Sequence, residues 1–341
     1  MKLSIGKKLG LGFTSVIVLL MIVGVIAFRS GSTASSGVND VAEMTEDTAV
    51  GAEIMADMLM VRMNVKDFLI TNSEQDVQEY EQYKQEFLDG MKLAHERFQN
   101  PDRQRWLDQI DTKFADYDKA FDAVKDVISK RNAIRANILD VNGKKASDAL
   151  QAVNDAAVEQ NQIDLAELTA GANNDMFEAR LYVMKYLASS NEQDYQRIRT
   201  ELKSLDGRFA DLMASDNADQ AKKAALADIQ RWVQQYQAGV DQVRQLVTQR
   251  DEIVNNQLDV IGPEIAGLGL DIRESLLKDG DKDAADVRGS VQSAQWVVMI
   301  VTLVAILVGS ALAFVISKAI VNPIRQFIER FQYVADGDMT V

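Results

Sequence analysis

Cysteine is missing from this chain, so it forms no disulfide, presents no thiol nucleophile and builds no thiolate metal site. Its one histidine, His95, stands among Lys92, Glu96 and Arg97 and reads as a surface residue, so no transition-metal site is expected. Only three prolines occur in 341 residues and aromatics make up 7%, a balance that favours long helices over sheets. Basic side chains are outnumbered by acidic ones, 37 to 51, for a net charge of -14. Such a surface suits solvent and is a poor match for nucleic acid. No nucleophile stands beside a base, no glycine loop is shaped for phosphate and no residue cluster suits zinc. The chain is therefore not expected to be an enzyme or to need a cofactor.

Two uncharged apolar runs are present: residues 9–28 (LGLGFTSVIVLLMIVGVIAF) and 296–316 (WVVMIVTLVAILVGSALAFVI). Each is long enough to cross a bilayer. The first exceeds a typical signal-peptide core and no small-residue cleavage motif follows it, so it reads as an anchor. Lys2, Lys7 and Lys8 precede the first run while Lys318 and Arg325 follow the second, and this bias predicts that both ends are cytoplasmic. Residues 29–295 then lie outside, and an acidic exterior without cysteine is compatible with a bacterial periplasm. Trp296 reads as an interfacial anchor, and Trp106 and Trp232 as packing residues.

The exterior repeats itself. MLMVRMNVKDFLITNSEQD (58–76) and MFEARLYVMKYLASSNEQD (176–194) share Met, Arg, Val, Leu and Glu-Gln-Asp at a shift of 118, which sets Arg62 on Arg180. At a shift of 119, Tyr117, Asp122, Val124, Arg131 and Ile134 meet Tyr236, Asp241, Val243, Arg250 and Ile253, and LDVNG (139–143) meets LDVIG (258–262). Two copies of one helical unit are implied.

Each copy reads as a long amphipathic helix, a polar turn (TNSEQD or SSNEQD), a second helix, a loop (NPDR, 100–103; SDNADQ, 215–220) and a third helix. Asn72 and Ser73, like Ser190 and Asn191, suit the caps of the second helices. The expected fold is all-α: six helices in two stacked four-helix bundles, with the third and sixth helices long enough to serve both. The turn between helices three and four falls at TAGANN (169–174) or at Asn142-Gly143; in the latter case the first and fourth helices are the long ones. Gly262-Pro263 is expected to kink a continuing helix.

A short basic N-terminus, one span, a helical exterior, a second span and VNPIRQFIERFQYVADGDMTV (321–341) resemble a bacterial methyl-accepting chemotaxis receptor. The closing segment, with Pro323 and Asp336-Gly337-Asp338, is similar to the start of a HAMP linker. The length and doubling of the exterior resemble the helical bimodular sensor domain. This resemblance implies a domain order of cytoplasmic N-terminus (1–8), transmembrane helix (9–28), periplasmic ligand-binding domain (29–295), second transmembrane helix (296–316) and HAMP start (317–341). It also implies an inner-membrane homodimer that binds small organic acids, such as citric-acid-cycle intermediates and acetate, and signals to a cytoplasmic kinase and adaptor. A sensor histidine kinase reading a periplasmic binding protein is the alternative.

Arg62 interrupts the apolar stripe of Met55, Met58, Leu59, Val65 and Leu69, so its guanidinium needs an anionic partner. Either Arg62 and Arg180 pair internally with Glu53, Asp57, Asp67, Asp175 or Glu178, or each holds a ligand carboxylate through two parallel hydrogen bonds. Arg131 and Arg250 are candidates to join them, Arg62 with Arg131 and Arg180 with Arg250. Tyr117 and Tyr236 repeat at apolar positions and are candidate donors to a ligand oxygen. Tyr236-Gln237-Ala238-Gly239 resembles a small-acid pocket of the family, with Gly239 admitting a ligand to the backbone. Phe121 occupies the corresponding level of the first copy, so the two modules are not expected to bind the same ligand.

Overall fold

A computed structural model describes residues 5–216 and 218–335. Among these, no strand occurs and the chain is all-α, as expected. The helices are α1 (Ile5–Thr71), α2 (Glu74–Arg97), α3 (Pro101–Ile134), α4 (Asp140–Glu159), α5 (Ile163–Ser189), α6 (Glu192–Ala214), α7 (Gln220–Ile253), α8 (Asp259–Ile316) and α9 (Asn322–Ala335). π-Helical turns at Arg135–Leu139, Val254–Leu258 and Ser317–Val321 join α3 to α4, α7 to α8 and α8 to α9. The third and sixth runs of the repeat are thus the continuous ones.

Local chemistry sets the helix ends. Asn72 and Ser190 take left-handed backbone (φ 54° and 55°), and their N–H groups donate to Phe68 O and Tyr186 O at 2.8 Å, closing α1 and α5. Ser73 Oγ and Asn191 Oδ1 then accept from Gln75 N and Gln193 N at 3.1 and 2.8 Å and open α2 and α6. Asp219 caps α7 through Lys222 N, while Pro101 at the first position of α3 sacrifices an N–H that had no helical partner. The turn before α5 falls at Gln160–Gln162, where Asn161 has φ 55°. TAGANN lies inside α5, and Asn142-Gly143 inside α4. Both glycines are used for close packing: a Cβ on Gly171 would strike Arg208, and one on Gly143 would meet Tyr236 and Arg180. α8 continues through Pro263.

The chain divides into two compact units. The first comprises Met1–Ala56, Leu88–Gln104 and Gly269–Val341. Arg97 binds Asp47 (2.6 Å) and Glu46 (3.0 Å), and deeply buried Arg103 donates to Ser275 Oγ and O at 3.0 and 2.9 Å and to Asp279. Residues 9–28 and 296–316 belong to two helices long and apolar enough to cross a membrane, and apolar side chains such as Phe13, Phe28, Leu303 and Phe314 are exposed along them. α9 exposes Ile324, Phe327, Ile328 and Phe331. Lys2 and Asp336–Asp338, which carried part of the topology and HAMP readings, lie outside the described residues.

The second unit comprises Asp57–Phe87 and Arg105–Leu268. One part brings together the C-terminal turns of α1, the start of α2, α3 and the first turns of α8. Its core packs Phe68 edge-on (5.5 Å between centroids) and Tyr80 tilted (4.4 Å) against Phe121, and Phe87 tilted against Phe114 (4.4 Å). The other part is a bundle of α4 to α7 around Leu150, Met176, Tyr186, Phe209 and Val233, with Trp232 packed at its margin. Burying aromatics and aliphatics of this size contributes roughly 1.5–3 kcal/mol each.

Candidate functional site

Within the second unit the two copies of the repeat build the same cluster twice, through glycines of the LDVxG segments. Arg180 and Tyr236 lie against Gly143: a Cβ there would stand 3.2 Å from Arg180 Nε and 3.0 Å from Tyr236 Cε2. Arg62 and Tyr117 lie against Gly262, where a Cβ would stand 2.8 Å from Arg62 Nε and 3.3 Å from Tyr117 Cε2. Each glycine comes from the other copy's segment: the LDVNG of the first copy completes the second copy's cluster, and LDVIG the first's. Sequence reasoning missed Gly143 and Gly262 as site residues, although the repeated LDVxG signal was present.

Neither Arg62 nor Arg180 forms an ion pair with a carboxylate among the described residues. Arg180 Nη1 donates to Ser147 Oγ at 3.3 Å. Asp175, one of the expected internal partners, accepts instead from Ser204 (2.6 Å) and Arg208 (2.7 Å). Tyr117 and Tyr236 are each 2% exposed. Burial pushes both phenols well above their ordinary pKa; Arg62 opposes the shift at Tyr117 and Arg180 opposes it at Tyr236. Both therefore remain protonated donors at physiological pH.

The clusters differ in charge and space. Asp259 lies near Tyr117 and pairs with Lys66, whereas Asp140, its counterpart near Tyr236, meets Arg135 Nε at 3.8 Å. Beside Arg180 and Tyr236 opens a cavity of about 200 Å³, bordered also by Arg135, Asp140, Phe177 and Met184. A guanidinium fork and a neutral phenol at an otherwise largely apolar wall suit one small carboxylate.

Arg131 and Arg250 do not extend these two clusters as expected. They share the wall of a second cleft, of about 640 Å³, with Asn72, Asn132 and Arg135. Arg131 Nη2 donates to Asn72 Oδ1 (3.1 Å) and Arg250 Nη2 to Ser190 Oγ (2.7 Å), so each arginine holds the left-handed residue that ends α1 or α5. The pull toward those turns is the physical reason for their departure from Arg62 and Arg180. Gln237 points elsewhere, donating to Asp206 at 3.1 Å. Gly239 admits no ligand: Ile138 and Leu139 fill its open face, each 2.9 Å from where a Cβ would stand.

A family model described as the helical bimodular sensor domain matches residues 40–286. The chain is also similar to the methyl-accepting chemotaxis protein McpQ of Pseudomonas putida, with 22% identity over 338 residues, covering 99% of this chain and 50% of that protein. It thus spans about half the length of that relative. With the family-model match over most of its length, the chain belongs to the helical bimodular sensor domain family.

Proposed function

We infer that this chain is the sensing part of a transmembrane chemoreceptor of the methyl-accepting type, which binds a small organic acid between Arg180 and Tyr236. The observation that carries this reading is the guanidinium of Arg180 beside a protonated, buried phenol, at a cavity where no described carboxylate of the chain pairs with it. The similarity to a methyl-accepting chemotaxis protein supports the receptor assignment. In this reading residues 29–295 are periplasmic, residues 9–28 and 296–316 cross the inner membrane, and the receptor is a homodimer. Arg180 takes the carboxylate through two N–H groups while Tyr236 donates to one of its oxygens. The Arg62 cluster, with Lys66 on its acid, takes a different acid or none.

Ligand binding then favours one of two helix packings, and α8, covalently continuous into residues 296–316, carries the difference to the HAMP segment and the kinase it controls. The test is thermal unfolding of the full chain in nanodiscs with two- to four-carbon mono- and dicarboxylates. A ligand at 100 times its Kd adds about 2.7 kcal/mol, a clear shift. The expected result is a shift with one or more acids that disappears in Arg180→Gln. No shift with any acid overturns the reading, and a shift retained in Arg180→Gln overturns the site.

A further inference from the structure

Beyond the carboxylate cavity, the geometry points to a separate anion site: the cleft of about 640 Å³ beside the π-helical turn Arg135–Leu139, where Arg131, Arg135 and Arg250 together receive a multivalent oxyanion. Three guanidinium groups border it, and their charges are unequally met. Arg250 binds Asp251 through Nε (2.9 Å) and Nη2 (2.5 Å), and Arg135 approaches Asp140 at 3.8 Å. Arg131, the most buried of the three at 6% exposure, is left with amide oxygens: Asn72 Oδ1 at 3.1 Å and Asn132 Oδ1 at 3.0 and 3.2 Å. Among the described residues no carboxylate lies within ion-pair distance of it.

Amide dipoles solvate a cation but do not neutralise it, so the buried Arg131 guanidinium keeps an uncompensated charge, whereas Arg250 and Arg135 beside it are met by Asp251 and Asp140. Burial, then Arg250 and Arg135, push the Arg131 pKa down, which is the same imbalance seen from its proton. Arginine does not shed that proton, so the charge persists until an anion meets it. A single carboxylate satisfies one fork. Arg131, with no acid of its own, and the N–H groups that Arg135 and Arg250 keep beyond Asp140 and Asp251, around a roomy, polar cleft, match a ligand with two or more anionic oxygen groups, a chemistry shared by phosphates and polycarboxylates. Such a ligand ties together α3 and α7 and, through Asn72 and Ser190, the ends of α1 and α5. Arg135 and Asp140 also border the Arg180 cavity, so the two sites share a wall.

The test is calorimetric titration of the full chain in nanodiscs with inorganic phosphate, pyrophosphate and propane-1,2,3-tricarboxylate at two salt concentrations. One or more of these is expected to bind with marked salt dependence, and the preferred one separates a phosphate source from a carboxylate source. Arg131→Gln and Arg250→Gln are each expected to weaken binding by about tenfold to a hundredfold and to flatten the salt dependence. Arg131→Gln keeps amide-bonding capacity while removing the buried charge, and Arg250, less buried than Arg131, supplies a second variant. Arg180→Gln, which removes the carboxylate site, is expected to leave phosphate and pyrophosphate binding at this cleft unchanged, since Arg180 does not border it, so the two readings fail separately. If none of the three anions binds at millimolar concentration, or both Arg131→Gln and Arg250→Gln bind as tightly as the parent, the site does not exist and both arginines serve only the turns at Asn72 and Ser190.

Discussion

Lys66 holds Asp259 in an ion pair, while the equivalent step of the second copy, 118 residues on, is Met184. Two clusters drawn from one template therefore present different fields to a ligand. In the first, the acid beside Tyr117 is already neutralised; in the second, a thioether borders an open cavity.

The pair itself is half-exposed, with side chains 52% and 40% accessible, so solvent screens most of its attraction. Lys66→Met is expected to lower the unfolding free energy by no more than about 1 kcal/mol. Chemical denaturation measures this, and small-acid affinity at Arg180 stays at the parent value in the same variant.

Gly143→Ala separates folding from binding. The methyl favours the helix by about 1 kcal/mol relative to glycine. It also stands 3.0 Å from the rigid, buried ring of Tyr236 and 3.2 Å from Arg180, displacing both from their present positions. A folded protein with small-acid affinity reduced by about tenfold, about 1.4 kcal/mol, is the expected outcome in calorimetry. Gly207→Ala, where a Cβ meets nothing within 4 Å, stabilises by about 0.5–1 kcal/mol and leaves binding intact.

Gly239→Ala tests the packing of α7 on the π-helical turn. Its methyl would lie 2.9 Å from both Ile138 and Leu139, and overpacking of this kind costs about 1–3 kcal/mol, against a helix gain of about 1 kcal/mol. A lower melting temperature is expected, with helical content preserved by circular dichroism.

Tyr80, Tyr117 and Tyr236 all have pKa values raised first by burial, with Asp118 adding to the shift at Tyr80. The folded state thus retains three protons that the unfolded chain releases near pH 10. Their contribution is complete below that pH and is lost as pH rises toward the folded values, so stability declines above about pH 10. Urea melts at pH 7, 9 and 11 measure it; equal stability at all three would contradict the burial of these phenols. Small-acid binding that needs the Tyr236 proton stays level from pH 6 to about 9.

Periodicity and composition made the all-helical class, the two apolar runs, the duplication and the equivalence of Arg62 with Arg180 legible, because each is a local or register property of one dimension. The polar turns were legible for the same reason: Ser73 and Asn191 cap the helices that follow them. What was not legible is which face of one helix meets which face of another. Asn142-Gly143 has the composition of a turn, yet it is helix, because Arg180 and Tyr236 need a surface without a side chain. Arg131 and Arg250 carried the right chemistry for an anion but not their address. That was set by the left-handed residues Asn72 and Ser190, which drew them to a shared cleft. A chain's own order specifies which residues repeat; only packing, through steric room at glycine and the need of each buried charge for a partner, assigns those repeats to a site.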